Sequence, residues 1–261
     1  MDLGLDGKVA LVTAASKGIG RAVAHQLAAE GADVLASSRP GPALTAAVAD
    51  AAGLKGRVEA LPADLTDETA TGELVDSVLA DRGRLDILVV NTPGPALVPF
   101  LEATPTDLID AFQLLVRPAV QLACAAGKAM AGQRTGSIVF LTSTWVRQPP
   151  AGALLSATMR SMISAMAKQM ALELAPLGVR VNQVMPGATA TDRMRSVIAG
   201  KMRLHGTDEA TEMRDAVASI PLGRWAQPEE IARHVAFVAS DAASFTTGTA
   251  TAVDGGYIRS I

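Results

Sequence analysis

The sequence predicts a doubly wound α/β fold, with one parallel sheet of about seven strands and helices on both faces. Three observations carry this. Short apolar runs alternate with longer stretches of helical period along most of the chain, the rhythm of strand–helix–strand crossovers. The runs are almost continuously apolar rather than alternating, as strands covered on both faces are. Prolines 93, 95, 99, 149 and 150 follow the fourth and fifth runs, marking loops at strand ends.

The elements follow in order. Residues 8–13 (KVALVT) read as the first strand, and 18–30 as a helix with apolar residues at 19, 23, 24, 27 and 28. Residues 33–37 and 58–62 are the second and third strands, separated by a helix over 41–52. A helix over 68–82 leads to the fourth strand, 87–91 (ILVVN), and a long helix over 105–132 to the fifth, 136–142 (GSIVFLT). A helix over 153–176 precedes the sixth strand, 179–185 (VRVNQVM), and one over 228–240 precedes the seventh, 250–253. Residues 192–222 break the rhythm: they are polar, with Met194, Met202, Met213 and Ile220 as scattered anchors. They are expected to form a helical lid, not a second domain, so 1–261 is read as one domain.

Composition narrows the function. A formal charge of −3 is too small to point to nucleic acid or an anionic membrane as partner. Hydrophobic residues at 49% against 19% charged support a packed core and exclude global disorder. No run approaches the ~18 unbroken apolar residues of a membrane span. The opening Met1–Asp6 stretch is acidic and lacks the regions of a secretory signal, so a cytoplasmic location is expected. Cys124 is the single cysteine. It excludes an internal disulfide and a multi-cysteine metal site, and is expected to be a small buried side chain. No metal site is expected.

Chemistry begins after the first strand, at Thr13-Ala14-Ala15-Ser16-Lys17-Gly18-Ile19-Gly20. Glycines at 18 and 20 stand where strand turns into helix. They allow positive φ and close approach of backbone N–H groups to a phosphate, at the positive end of a helix dipole. Open sheets of this kind bind ligands outside the carboxyl ends of their strands.

On these residues the chain resembles the short-chain dehydrogenase/reductase family, from about residue 6 to the C-terminus, and within it the 3-oxoacyl carrier-protein reductases. The family's Thr-Gly-x-x-x-Gly-x-Gly loop is matched by Thr13, Gly18 and Gly20, with Ala14 in place of the first glycine; Ala14 suits that position with a negative φ. Asp64-Leu65 resembles the pair beside the adenine, and Asn91 the last asparagine of the family's Asn-Asn-Ala-Gly turn, although Val90, Thr92 and Pro93 depart from it. Asn182, Pro186, Gly187 and Thr191 match the segment under the nicotinamide. Ile220 to Arg224, Pro228 to Glu230, Thr247-Gly248 and Asp254 to Gly256 match C-terminal signatures. The resemblance implies a Rossmann-like fold and hydride transfer between NAD or NADP and a carbonyl or alcohol. Thr13, Ala15, Ser16, Lys17, Gly18, Ile19, Asp64, Leu65, Asn91, Pro186, Gly187 and Thr191 are its implied cofactor positions.

The second strand ends Ser37-Ser38-Arg39, with Ser38 where NAD-binding folds carry an acid for the ribose hydroxyls. Arg39 follows, and Lys17 sits in the glycine loop. Two cations converging on a 2′-phosphate favour NADP(H) over NAD(H).

At the catalytic positions the pattern fails. The family uses a serine, a tyrosine, a lysine four residues later, and an asparagine. Ser143 is the serine. The tyrosine position falls on Ser156, the lysine position on Arg160 and the asparagine position on Leu115; the only tyrosine is Tyr257. Arg160 shares a helix face with Ser156 and can fork onto ribose hydroxyls, but it cannot give up its proton. Ser143, Ser156 and Arg160 together are expected to polarise a carbonyl as an oxyanion site does. His205, Asp192 and Asp107 are candidate replacement acids. Trp145 is expected to wall the substrate cleft.

Three readings follow: an NADP-preferring oxidoreductase with an altered proton donor, a cofactor-binding, non-catalytic partner subunit, or a different enzyme class, such as a lyase or epimerase, reusing the pocket. The expected partners are a small carbonyl or alcohol and further copies of the chain, as a dimer of dimers, with Met159, Met162, Met166 and Met170 on core or subunit contacts.

Overall fold

The structure is a computed structural model that describes residues 2–260. Seven strands pair in parallel: β1 Val9–Thr13, β2 Asp33–Ser38, β3 Arg57–Pro62, β4 Ile87–Val90, β5 Gly136–Leu141, β6 Val179–Pro186 and β7 Ala250–Val253. Their order is β3-β2-β1-β4-β5-β6-β7. Eight α-helices accompany them: α1 Gly18–Ala29, α2 Pro42–Ala49, α3 Glu68–Arg82, α4 Pro105–Gln133, α5 Leu154–Leu174, α6 Asp192–His205, α7 Glu209–Ala218 and α8 Pro228–Ala239.

The period-two geometry of strands divides the apolar runs between two cores. Leu11, Leu88, Ile138 and Val181 face the core shared with α3, α4 and α5. Val12, Val89, Val139 and Val184 face the core shared with α1 and α8. Continuous apolar strands are therefore required by helices on both sides. The edge strand β3 alternates exposed and covered residues along most of its length. Strand order reverses between β1 and β4, so the loops leaving them part and open a crevice at the carboxyl edge.

The predicted elements are present, with shifted ends. The first strand starts at Val9, the sixth runs on to Pro186, and the second helix is confined to Pro42–Ala49. The fifth helix stops at Leu174 and a 3₁₀ turn, Ala175–Leu177, follows. Residues 192–222 resolve into α6 and α7, joined at Gly206, which ends α6 with φ +67°.

Cys124 departs from expectation, being exposed. The buried residues of α4 include Leu115, Leu122, Ala123, Ala126 and Met130, and the 100° step per residue turns 124 outward. By length and composition α4 is apolar enough to cross a bilayer, but this stripe packs into the core beside α5 and the sheet. The methionines divide: Met159 is buried, Met166 and Met170 pack against the core, and Met162 is exposed.

Candidate active site

The carboxyl ends of β1, β4, β5 and β6, together with α6 and α7, surround a cleft of about 630 Å³. Lys17, Gly18 and Ile19 form part of its wall. Lys17 is the N-cap of α1, in extended conformation, with no side-chain bond to the helix's first N–H groups. Those groups are left for an anion. A Cβ at Gly20 would stand 2.3 Å from Ala14 O and 2.7 Å from Asn91 Nδ2, so the loop packs too closely there for any side chain.

Ala14 corrects one expectation: its φ is +47°, not negative. The turn keeps the glycine conformation although the glycine is gone. Asn91 Nδ2 donates to Ala14 O at 3.4 Å, and Gly20 packs on the same carbonyl.

Thr13 and Ala15, expected at the cofactor, are fully buried behind the loop. Thr13 Oγ1 donates to Asn91 O at 2.7 Å and accepts from Asn91 N at 3.0 Å, clasping β1 to the end of β4. Ala15 N donates to Ser37 O. Their polar groups are used up inside the protein, so they shape the loop from behind.

Along the β2 side, Ser37 Oγ is buried without a partner. Ser38 is buried and Arg39 exposed. Asp64 accepts from Thr66 N and Oγ1 at 2.9 and 2.8 Å; these bonds, and then the charge of Arg39, hold its carboxyl below the usual range. Leu65 is buried and Ser16 half-buried. Lys17 and Arg39 address different neighbours: Lys17 Nζ stands 3.9 Å from Asp192 Oδ2 on α6, and Arg39 acts on Asp64.

The uncapped helix, the cradle at Gly20 and the orphaned Ser37 hydroxyl suit a dinucleotide laid across the switch in strand order. Asn91, Pro186, Gly187 and Thr191 continue the same wall. A Cβ at Gly187 would meet Asp254 Cα at 2.7 Å, and Thr191 caps α6 through Met194 N. Asn182 lies behind, tying β6 to Thr246 and Thr249.

Hydroxyls and a guanidinium gather at the end of β5. Ser143 caps a 3₁₀ turn, accepting from Trp145 N at 3.2 Å, and its hydroxyl proton remains free to donate. Trp145 is half-buried in the cleft wall. On α5, Ser156 and Arg160 are both buried and both line the cleft. Arg160 Nη1 donates to Leu141 O at 2.9 Å and Nε to Ser156 Oγ at a long 3.4 Å. Burial first, and then the charge of Arg193, pull its guanidinium down to about 10. Leu115 is sealed in the α4 core and brings no polar group.

Two cleft features, Tyr257 and Glu212, escaped sequence reasoning. Tyr257 lines the cleft; Gln148 Nε2 donates to its carbonyl at 3.2 Å. Nothing local signals this, because Tyr257 lies about a hundred residues from Ser156. His205 Nδ1 meets Glu212 Oε1 at 2.7 Å, and Thr207 Oγ1 donates to the same oxygen at 2.6 Å. Glu212 is 2% exposed, although it is a carboxylate on a mostly exposed helix. Arg193 settles against Gly94. Of the other candidate acids, Asp107 closes the capping box of α4 with Thr104, and Asp192 pairs with Arg195.

A family model described as enoyl-(acyl carrier protein) reductase matches residues 13–258. The chain belongs to the short-chain dehydrogenase/reductase family. This family member is 34% identical over 259 residues to an L-xylulose reductase of Mesocricetus auratus, covering 99% of each chain. It is also 34% identical over 257 residues to a 3-oxoacyl-[acyl-carrier-protein] reductase of Thermotoga maritima, covering 97% of this chain and 99% of the relative. The L-sorbose reductase of Gluconobacter frateurii, solved with NADPH and L-sorbose, matches with a TM-score of 0.92 at 28% identity over the full length of both chains. These relatives are named for different substrates, so the residues of this cleft must carry the functional argument.

Proposed function

We propose that the protein is an NADP-preferring oxidoreductase that moves a hydride between a nicotinamide cofactor and a carbonyl or alcohol of a small molecule. One observation carries the reading: the uncapped start of α1 and the Ser143, Ser156 and Arg160 cluster share one cleft. The relatives named as reductases, one of them solved with NADPH, support it. The bound cofactor supplies or accepts the hydride; the chain's own residues do the rest.

Backbone N–H groups at Ser16, Lys17, Gly18 and Ile19 hold the phosphates. Ser38 and Arg39 take the 2′-phosphate, with the exposed Lys17 swinging from Asp192 to join them, Asp64 and Leu65 flank the adenine, and Asn91, Pro186, Gly187 and Thr191 wall the nicotinamide end. No carboxylate at 38 opposes the extra phosphate.

Ser143 and Ser156 donate hydrogen bonds to the reacting oxygen. Arg160, donating to Ser156 Oγ, draws electron density from it and strengthens its O–H as a donor. Neither group delivers a proton readily: a serine hydroxyl is far less acidic than a phenol of pKa ~10, and guanidinium does not relay protons. His205 lines the cleft. Glu212 holds its Nδ1, which leaves Nε2 to donate the proton. Trp145 walls the substrate, and α6 and α7 act as the lid of a single domain. Exposed Met162 and Leu172 on α5 support pairing of copies toward a dimer of dimers, in a cytoplasmic protein.

Calorimetric titration of the whole chain with NADPH and then NADH tests the reading. Binding of NADPH at least tenfold tighter than NADH is expected. Binding of neither cofactor overturns it.

A further inference from the structure

Among the described residues, two guanidinium groups in the cleft have no counter-ion. Arg160 is 8% exposed, and its bonds run only to Leu141 O and Ser156 Oγ; its Nη2 has none. Arg193, the second residue of α6, is half-buried, and no ion pair or hydrogen bond holds its head among the described residues. It rests directly on Gly94, where a Cβ would stand 2.3 Å from its Nε and 2.5 Å from its Cζ. The two charges are near enough for Arg193 to depress Arg160 beyond the effect of burial.

Two of the three acids lining the same cleft, Asp192 and Glu212, are engaged elsewhere. Asp192 gives one oxygen to Arg195 at 2.6 Å and turns the other toward Lys17. Glu212 accepts from His205 and Thr207. Asp215, exposed on α7, pairs with neither arginine. Buried charges are ordinarily paired, because an ion taken out of water loses its hydration. Here two like charges share a partly desolvated space and repel each other. An oxyanion between them would reverse that sign, and the guanidinium fork matches a carboxylate or phosphate.

The geometry points to a substrate-anion receptor: Arg193 on its Gly94 seat, with Arg160 adding its charge, takes a carboxylate or phosphate group of the reacting molecule. This rests on the reading that the cleft binds a carbonyl or alcohol beside the cofactor. Position favours the substrate over the cofactor's own phosphates. Those have the free N–H groups of α1 and Lys17, whereas Arg193 and Arg160 line the cleft together with Ser143, Trp145 and Ser156. The substrate class is then a small oxo or hydroxy acid, or its phosphate counterpart.

The test uses the full chain in phosphate-free chloride buffer, saturated with NADP+ so that no turnover occurs. Pyruvate and 4-oxopentanoate are titrated by calorimetry, each against its methyl ester. At least one acid is expected to bind tenfold or more tightly than its ester. Arg193→Gln should abolish that preference, Arg193→Lys should keep part of it, and Gly94→Ala, which keeps the charge but takes its seat, should weaken it. NADPH affinity should stay within twofold in all three variants, and their melting curves verify folding. The proposal is overturned if neither acid binds, if acids and esters bind alike, or if Arg193→Gln leaves the preference intact. It is also overturned if Arg193→Gln weakens NADPH tenfold, which would assign the cation to the cofactor's phosphates. If NADPH does not bind at all, the acids are titrated into the free protein. An acid preference lost in Arg193→Gln then sustains the receptor while the oxidoreductase reading falls; its absence overturns both.

Discussion

Replacing Ala14 by glycine should stabilise the protein. Ala14 holds φ +47°, a left-handed conformation that costs a residue with a Cβ about 1–2 kcal/mol. The loop cannot relax out of it. Asn91 Nδ2 binds Ala14 O, and Gly20 packs so closely on that carbonyl that a Cβ would sit 2.3 Å away. Glycine removes the strain but adds unfolded-state freedom worth about 0.4–1 kcal/mol. The net gain is about 0.5–1 kcal/mol, or about 1–4 °C in Tm for a chain of this size. Ala14→Val should move the other way and by more, since a branched Cβ tolerates positive φ least. Differential scanning calorimetry on the three proteins without cofactor reads this directly. An unchanged or lower Tm for Ala14→Gly would refute the strain argument.

Other predictions address cofactor choice, chemistry and acid stability. Arg39→Asp should weaken NADPH at least tenfold and spare NADH in calorimetric titration; equal losses for both would count against a 2′-phosphate site. Ser156→Ala should lower kcat by about 10²-fold, as loss of an oxyanion donor does, and Arg160→Lys should lower it too because the fork is lost; unchanged turnover in both would remove them from the chemistry. His205→Gln should lower kcat by about 10²-fold or more, and unchanged turnover would point to another acid. Hydrogen bonds from Arg224, and then from Gln227 N–H, pull Glu230 down to about 2. A carboxyl lowered in the folded state stabilises above its unfolded pKa of ~4.3 and loses that contribution as pH falls toward 2. The Tm advantage of the wild type over Glu230→Gln should therefore shrink between about pH 5 and pH 2, and a constant gap would contradict the pairing.

Much of the architecture was legible before any coordinates. The runs at 8–13, 87–91 and 136–142 are apolar at every central position, and a strand needs that only when both faces are covered. Gly18 and Gly20 located the turn into α1, because backbone sterics at a strand–helix junction act within a few residues. Ser156 and Arg160 came together as predicted, since i and i+4 share a helix face. Local patterns encode these features, so a linear reading recovers them.

Only the tertiary structure decided which polar groups share the cleft. Thr13 and Ala15 sit in the motif but face inward, because their polar groups pair with Asn91 and Ser37 from other strands. Tyr257 and Glu212 belong to segments with no local signature, and the folding of α7 and the C-terminal segment over β6 brings them to one wall. Ala14 breaks the glycine pattern yet keeps the glycine conformation, because Asn91 and Gly20 hold its carbonyl. Periodicity and turn chemistry arise between near neighbours in the chain and are written in its order. Partnership among charges depends on distances that close only when the sheet is wound.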